Sequence, residues 1–287
     1  MSLIKLNNLI EGEVIKRPSK RIKTPYVADI LLEDTKEEVL GHSASLGCCG
    51  LVDVGAKILM TISSQSKTKP KNKENLKCTH TVYLSILQDK GQEQIIGVHP
   101  KLAENLTEEA LKTNCFTKLQ NVKKYHRETT IIIEDKVSSR FDFTGIDNNN
   151  IPFIMEVKNV PLADYEDVTA KERKKMNFSD RNFNTKVAYF PDGYRKKCKD
   201  AVSPRALKHI RELTFIKKNS KIRCIMCYVI QRTDVNRFQP SIIDPEYREA
   251  FKEALNTGVE IITMVVRWNR NGEANFVRDD LPITEII

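Results

Sequence analysis

Asp142, Glu156 and Lys158 have the types and spacing that suit phosphate chemistry. Asp142 sits in Ser139-Arg140-Phe141-Asp142-Phe143, and the other two sit in Ile154-Met155-Glu156-Val157-Lys158. Each stretch reads as a short strand, and the polar residues 145–150 between them read as a turn. Side chains alternate across a strand, so Glu156 and Lys158 share one face while Met155 and Val157 take the other. The same rule turns Asp142 away from Phe141 and Phe143. If the strands form a hairpin, one carboxylate from each meets on a common face with an ammonium beside them. An apolar strand has no packing use for a Glu and a Lys two residues apart. Carboxylates hold Mg²⁺ or Mn²⁺, and a nearby lysine can orient or deprotonate a water for attack on phosphate. An edge strand with a solvated polar face would carry the same residues, so the spacing alone leaves both readings open.

The elements that position these residues fall into two groups. Residues 1 to about 88 hold five strand-like runs, at 12–16, 26–32, 38–43, 56–62 and 81–87, with no convincing helix. That suits a small Greek-key barrel of the OB type, which binds single strands or other polyanions on one face. Aromatics are sparse there, only Tyr26 and Tyr83, so limited stacking is expected. From about residue 92 the pattern changes. A strand at 95–98 is followed by a helix capped by Thr107, with Glu108 and Glu109 in its first turn. Strands follow at 129–134, 140–144 and 152–157. Ser203-Pro204 starts a second helix with Leu207, Ile210 and Leu213 inward and Lys208, His209 and Glu212 on other faces. Residues 222–230 read as a buried strand. Asp244-Pro245 opens a third helix that Gly258 closes, with Tyr247, Ala250, Phe251, Ala254 and Leu255 inward, and another strand begins there.

Composition narrows the function classes. The formal charge is +9, concentrated at 16–23, 67–77 and 171–199. Such clusters suit a polyanion, because each cation on a phosphate releases a condensed counterion. The longest apolar runs are too short to span a bilayer, and the first ten residues show no secretory signal, so a soluble intracellular protein with no membrane partner is expected. Seven cysteines in no pattern argue against a disulfide framework. Cys224 and Cys227 lie in a strand, where residues three apart face opposite sides, so buried thiols are expected rather than a zinc site; adjacent Cys48 and Cys49 get the same reading.

The Asp142, Glu156 and Lys158 arrangement resembles the PD-(D/E)XK nuclease signature, with Phe141 where the Pro usually stands. More broadly, Ser139 to Phe143, Glu156-Val157-Lys158, Phe190-Pro191-Asp192, Asp200-Ala201-Val202, Lys208-His209, Arg211-Glu212-Leu213, Arg237-Phe238 and Asp244 to Tyr247 occur in the order of the sugar fermentation stimulation protein A (SfsA) family. Upstream, residues 12–21, Ala28-Asp29, His42, Gly47, Gly50, Gly55 and residues 98–105 fit as well. The resemblance implies a mixed α+β chain: an OB-like barrel over 1–90, then a restriction-endonuclease-like domain over 91–287 with a central mixed sheet. It also implies DNA binding, DNA ahead of RNA, and nuclease-like chemistry. Two places depart from the pattern. His42 lacks the following Pro and Asn, and a charged insertion occupies about 164–188, with a smaller one at 193–199.

On this reading Asp142, Glu156 and the Val157 carbonyl hold Mg²⁺ or Mn²⁺, Lys158 handles the attacking water, and Glu128 is a further carboxylate from the preceding strand. Lys208 or His209 approaches the phosphate. Arg17, Lys20, Arg21, Lys23 and Arg140, together with Lys208 and His209, form the expected nucleic-acid contacts. The insertion is expected to be a surface excursion that buries little and helps hold the phosphate backbone. Two other functions stand beside the nuclease: a nucleic-acid-binding regulator with an idle core, and a partner-binding protein with solubilising basic loops.

Overall fold

The structure is a computed structural model that describes residues 1–44, 50–63, 78–191 and 202–284. Cys48, Cys49, the basic run 67–77, Asp192 and the small insertion at 193–199 lie outside the described residues. Among the described residues the strands form three sheets, and the architecture is mixed α+β with strand predominating. No helix among them is long and apolar enough to cross a membrane.

The chain opens with β1 (Ser2–Lys5), whose partner comes near the other end of the sequence. Then follow β2 (Ile10–Lys16), β3 (Val27–Leu32), β4 (Glu38–His42), β5 (Lys57–Ile62), β6 (His80–Asp89) and β7 (Gln92–Gly97). They form one sheet in the order β4-β3-β2-β5-β6-β7, and β4 also pairs in parallel with β6 through Gly41↔His80 and His42↔Thr81. Val14, Ile30, Ile58, Met60, Val82 and Ile96 fill its inner face. Gly41 permits that packing: a Cβ there would lie 2.1 Å from Cδ1 of Ile30.

Two boundaries differ from expectation. β7 pairs along β6 from Leu84↔Gly97 to Asp89↔Gln92, so residue 90 falls inside a hairpin and not between sheets. Lys90 and Gly91 form its two-residue turn, both with positive φ, the geometry such tight hairpins demand. β1, in turn, belongs to the large sheet described next. The first helix, α1 (Lys101–Lys112), starts six residues before the expected cap. Pro100 precedes it, and Leu102, Ala103, Leu106, Ala110 and Leu111 make its buried stripe; Thr107 is an interior, fully buried residue.

The remaining elements are β8 (Lys124–Ile133), β9 (Val137–Ile146), β10 (Pro152–Val160), β11 (Ala163–Asp164), α2 (Ala170–Arg173), β12 (Lys186–Phe190), α3 (Pro204–Asn219), β13 (Arg223–Ile230), β14 (Val235–Pro240), α4 (Pro245–Thr257), β15 (Glu260–Trp268) and β16 (Glu273–Arg278). The large sheet runs β1-β16-β15-β13-β10-β9-β8. Its centre, β10-β13-β15, is parallel and buried on both sides, which matches its near-continuous apolar sequence. α1 covers one face through Leu106, Phe143, Met155 and Ile225, while α3 and α4 cover the other through Ile210, Leu213, Met226 and Phe251. Asp244 caps α4 by accepting from the Tyr247 N–H, and Gly258 ends it at φ +91°. Leu255 points outward at 39% exposure, contrary to expectation, because its place on the helix lies beyond the Ala250, Phe251 and Ala254 stripe.

The charged insertion is less superficial than its composition suggests. β11 and β12 pair antiparallel at its two ends, β12 pairs with β14, and Tyr165, Asp167, Phe183 and Lys186 are buried. Only its middle, with Lys171, Lys174, Lys175 and Arg181, is exposed.

Candidate active site

The hairpin of β9 and β10 pairs from Pro152↔Ile146 to Met155↔Phe143 and stops there. The next pair would be Glu156 and Asp142. In place of a ladder bond, the Val157 N–H donates to Oδ2 of Asp142 at 2.7 Å. The two strands therefore part at the acidic pair, while β10 continues in parallel register along β13 from Phe153↔Arg223 to Val160↔Ile230. A rigid central strand thus carries Glu156 and Lys158, and the parting strand brings Asp142 to them.

Across from Asp142 the β8 ladder also skips a pair. Arg127↔Phe143 and Thr129↔Phe141 are paired, and Glu128 between them has φ +53°. Strict alternation fails at this point: Phe141 packs in the α3 and α4 core, and Phe143 in the α1 core. The expectation that both phenylalanines share a face is corrected here. A left-handed residue opposite Asp142 breaks the pleat locally.

The cleft that opens holds about 320 Å³ and is lined by Asp142, Glu156, Val157 and Lys158, with Glu104 and Pro100 from the α1 end, Asn159, Tyr189 and Arg205. Glu156 is 3% exposed. Its Oε1 accepts hydrogen bonds from Lys158 Nζ and from His209 Nδ1, and its Oε2 is buried with no partner. Burial pushes the Glu156 carboxyl up, but Lys158 and His209 outweigh that and hold it below its ordinary value. Asp142 shifts the other way. Burial first, then the Glu156 charge, push it up to about 7.

Sequence reasoning missed two residues, Glu104 and Arg205, and misplaced a third, His209. Glu104, on α1, is a third carboxylate at the cleft and adds to the upward push on Asp142. It pairs with Arg127 at 3.0 Å, and Arg127 also reaches Glu108 at 2.6 Å. Arg205, exposed in the first turn of α3, lines the cleft and has no acidic partner among the described residues. His209 was expected off the apolar face of its helix, free to meet phosphate. It is buried, orients Glu156, and stacks obliquely on Phe141 at 5.8 Å. Pro100 just before α1 was the available signal for Glu104, because a helix starting there puts position 104 over the sheet. No local pattern marks Arg205.

Other expected residues lie elsewhere. Glu128 and Arg140 are exposed and face each other at 3.5 Å, away from the cleft. Lys208 is exposed and donates to the Ser138 carbonyl at 2.7 Å. Glu212, expected outside, is buried and accepts from the Ser138 N–H at 2.9 Å. Arg17 donates to the Pro25 and Val52 carbonyls, so it ties a loop in place. Lys20, Arg21 and Lys23 are exposed on that loop. Cys224 and Cys227 are buried on opposite faces, in different cores, as expected; burial pushes both thiols up to about 12.

A divalent cation fits part of this donor set. Two neighbouring carboxylates, one with a buried unpartnered oxygen and one holding its proton to near neutrality, are short of positive charge. Among the described residues no three His, Cys, Asp or Glu side chains gather as ligands. The remaining ligands would be the Val157 carbonyl and water.

Residues 101–272, more than half of the chain, match the family described as "Sugar fermentation stimulation protein RE domain". The sugar fermentation stimulation protein homologue of Clostridium perfringens strain 13 is 30% identical over 261 residues, covering 90% of each chain. That of Prochlorococcus marinus strain NATL1A is 28% identical over 281 residues, covering 91% of this chain and 88% of its own. The chain belongs to the SfsA family. A solved structure of Pyrococcus furiosus SfsA in complex with Ca²⁺ superposes over 100% of both chains with a TM-score of 0.72 at 19% identity, a likeness of fold.

Proposed function

We propose that the cleft is the active site of a metal-dependent phosphodiesterase acting on nucleic acid, DNA ahead of RNA. The observation that carries this reading is Glu156 Oε2, buried and unpartnered beside Asp142. An oxygen left so in a protein interior costs about 1–3 kcal/mol or more, which a cation would offset. Asp142, Glu156 and the Val157 carbonyl would hold Mg²⁺ or Mn²⁺, and the relative crystallised with Ca²⁺ supports a site for hard, oxygen-seeking cations. Such a cation supplies Lewis acidity toward a phosphoryl oxygen and a more acidic water.

The chain's own residues supply the rest. His209 holds the Glu156 carboxylate through Oε1 and leaves Oε2 without a partner. Lys158, partly buried at the cleft wall, holds a proton donor beside the place of attack. Arg205 offers a guanidinium to a phosphate oxygen at the cleft edge. The strand order β2-β3-β4-β6-β5, with its short parallel β4–β6 contact, supports an OB-like reading of the first sheet; α1, the β8-β9-β10 run, α3 and β13 in sequence support a restriction-endonuclease-like core. The exposed Lys20, Arg21 and Lys23 suit a phosphate backbone.

Purified protein with Mg²⁺ or Mn²⁺ and labelled single- and double-stranded DNA and RNA tests this. Cleavage should vanish in Asp142→Ala and Glu156→Ala with binding kept, and Lys158→Ala should lower turnover more than affinity. Cleavage by Asp142→Ala at the wild-type rate sinks the reading. A non-catalytic DNA-binding protein is the second reading, favoured by Lys158 being tied to Glu156. Binding without cleavage in either metal selects it.

A further inference from the structure

Two pairs of rings stand on the first sheet, outside the cleft. Tyr26 and His42 stack with centroids 6.3 Å apart and planes 21° from parallel. Tyr83 and His99 stack at 4.9 Å and 20°. Strand pairing makes them neighbours. His42 lies opposite Thr81, two residues from Tyr83 on β6. Tyr83 itself is skipped in the β5 ladder, where Leu59 pairs with Leu84 and Met60 with Val82; an irregularity of this kind re-aims a side chain. His99 folds over Tyr83 because the Val98 and His99 N–H groups both donate to the Tyr83 carbonyl, at 2.9 and 3.3 Å. Tyr26 is tied next to His42 by the Ser43 N–H, which donates to its carbonyl at 2.8 Å.

Tyr83 packs partly against the α1 core. Tyr26 is 38% exposed and belongs to none of the three apolar clusters, and His42, Tyr83 and His99 are each partly exposed. Burial, then the charges of His42 and Lys101, hold His99 below its usual value, so at neutral pH it is an uncharged aromatic surface. The ends of the row are also informative. The loop carrying exposed Lys20, Arg21 and Lys23 runs directly into Tyr26. At the other end His99 is followed by Pro100, which lines the cleft with Asp142 and Glu156, and by exposed Lys101.

We propose that Tyr26, His42, Tyr83 and His99 form a stacking platform for the unpaired bases of a single nucleic-acid strand and lead that strand to the cleft. This rests on the nucleic-acid reading of the cleft and adds strandedness to it. Bases in a duplex have both faces covered by their neighbours, so exposed rings flanked by cations select strands whose bases are free. The expectation of limited stacking counts tyrosines only; the histidines double the number of rings.

The test is affinity for a labelled oligothymidylate of about 15 nucleotides, the upper span of one such face, against a duplex of equal length. It is run in EDTA, so that binding is read without cleavage. The single strand should bind more tightly, Tyr26→Ala and Tyr83→Ala should each weaken it roughly tenfold, and Tyr26→Phe and Tyr83→Phe should restore it. In Tyr26→Trp, indole fluorescence should be quenched by the single strand and not by the duplex; Trp268, buried at 3% exposure, contributes no such response. Equal or tighter duplex binding, no nucleic-acid binding at all, or a Tyr26→Ala protein of wild-type melting temperature and unchanged affinity overturns the platform. Duplex cleavage in Mg²⁺ that both Ala variants preserve overturns the platform and leaves the nuclease standing. Ring-dependent binding with no cleavage in Mg²⁺ or Mn²⁺ does the reverse.

Discussion

Asp142 and Glu156 are adjacent carboxyls that the fold treats oppositely, one held below its ordinary value and one pushed up to about 7. A carboxyl whose pKa rises on folding supports the folded state while protonated and withdraws that support as pH climbs from its unfolded value, about 4, through 7. Asp142→Asn removes the titration. In EDTA the variant should melt a few degrees above wild type at pH 8, about 2 kcal/mol after allowing for the solvent in the cleft, and no higher at pH 4. Equal melting at both pH values would show that Asp142 is not repelled. Glu128 gives a second test at this scale. Its φ of +53° suits glycine, so Glu128→Gly should change stability by less than about 1 kcal/mol and leave cleavage intact. Loss of cleavage matching Asp142→Ala would return Glu128 to the site. Asp142, Glu156 and Lys158 were legible in the sequence because a period of two states which residues share a strand face. Glu104, Arg205 and the inward turn of His209 toward Glu156 were not, since they depend on how helices settle on the sheet. The Phe141 and Phe143 reading failed because one left-handed residue on the neighbouring strand cancels the alternation.

Lys186 shows what holds the elements around the cleft together. Its ammonium, buried in the insertion's returning strand, pairs with Asp89 of β6 at 2.7 Å and with Asp234 at 2.9 Å. Arg232 holds Asp234 at 2.6 Å, and the Tyr165 hydroxyl donates to Asp89 at 2.7 Å. The network ties the first sheet, the insertion and the β13–β14 connection into one body. Lys186→Ala leaves Asp234 to Arg232 and Asp89 to the Tyr165 hydroxyl, and should cost about 1–3 kcal/mol by urea denaturation, whereas Lys90→Ala, on the exposed turn nearby, should cost under about 1 kcal/mol. Similar small losses in both would show the network to be loose. The exposed middle of the insertion is a separate matter. Replacing Lys171, Lys174 and Lys175 with Gln should flatten the salt dependence of nucleic-acid affinity by up to about 0.9 in log–log slope for each phosphate left without its cation. An unchanged slope would leave that stretch a tolerated excursion. A sequence rich in charge read as wholly superficial here because its buried members, Tyr165, Phe183 and Lys186, sit at the two ends of a long polar run. The early start of α1 was missed for a similar reason: Thr107 before Glu108 and Glu109 imitates a cap, and only the stripe from Leu102 onward contradicts it. Lys90-Gly91, by contrast, was a readable turn signal that would have kept β7 with its sheet.

At the scale of the whole molecule, β1 pairs antiparallel with β16, joining Lys5 to Glu273, and Leu3, Ile4, Leu6 and Leu9 pack beneath the pair against the α1 core. β1 therefore leaves the ribosome long before the strand it pairs with. At about 5–20 residues per second, the delay is roughly fifteen to fifty seconds. Throughout that interval β1 has no strand to pair with, and its apolar side chains have the α1 side of the core alone to pack against. An unpaired strand of that kind is a natural client for a holding chaperone, and the arrival of β16 is the step that clasps it.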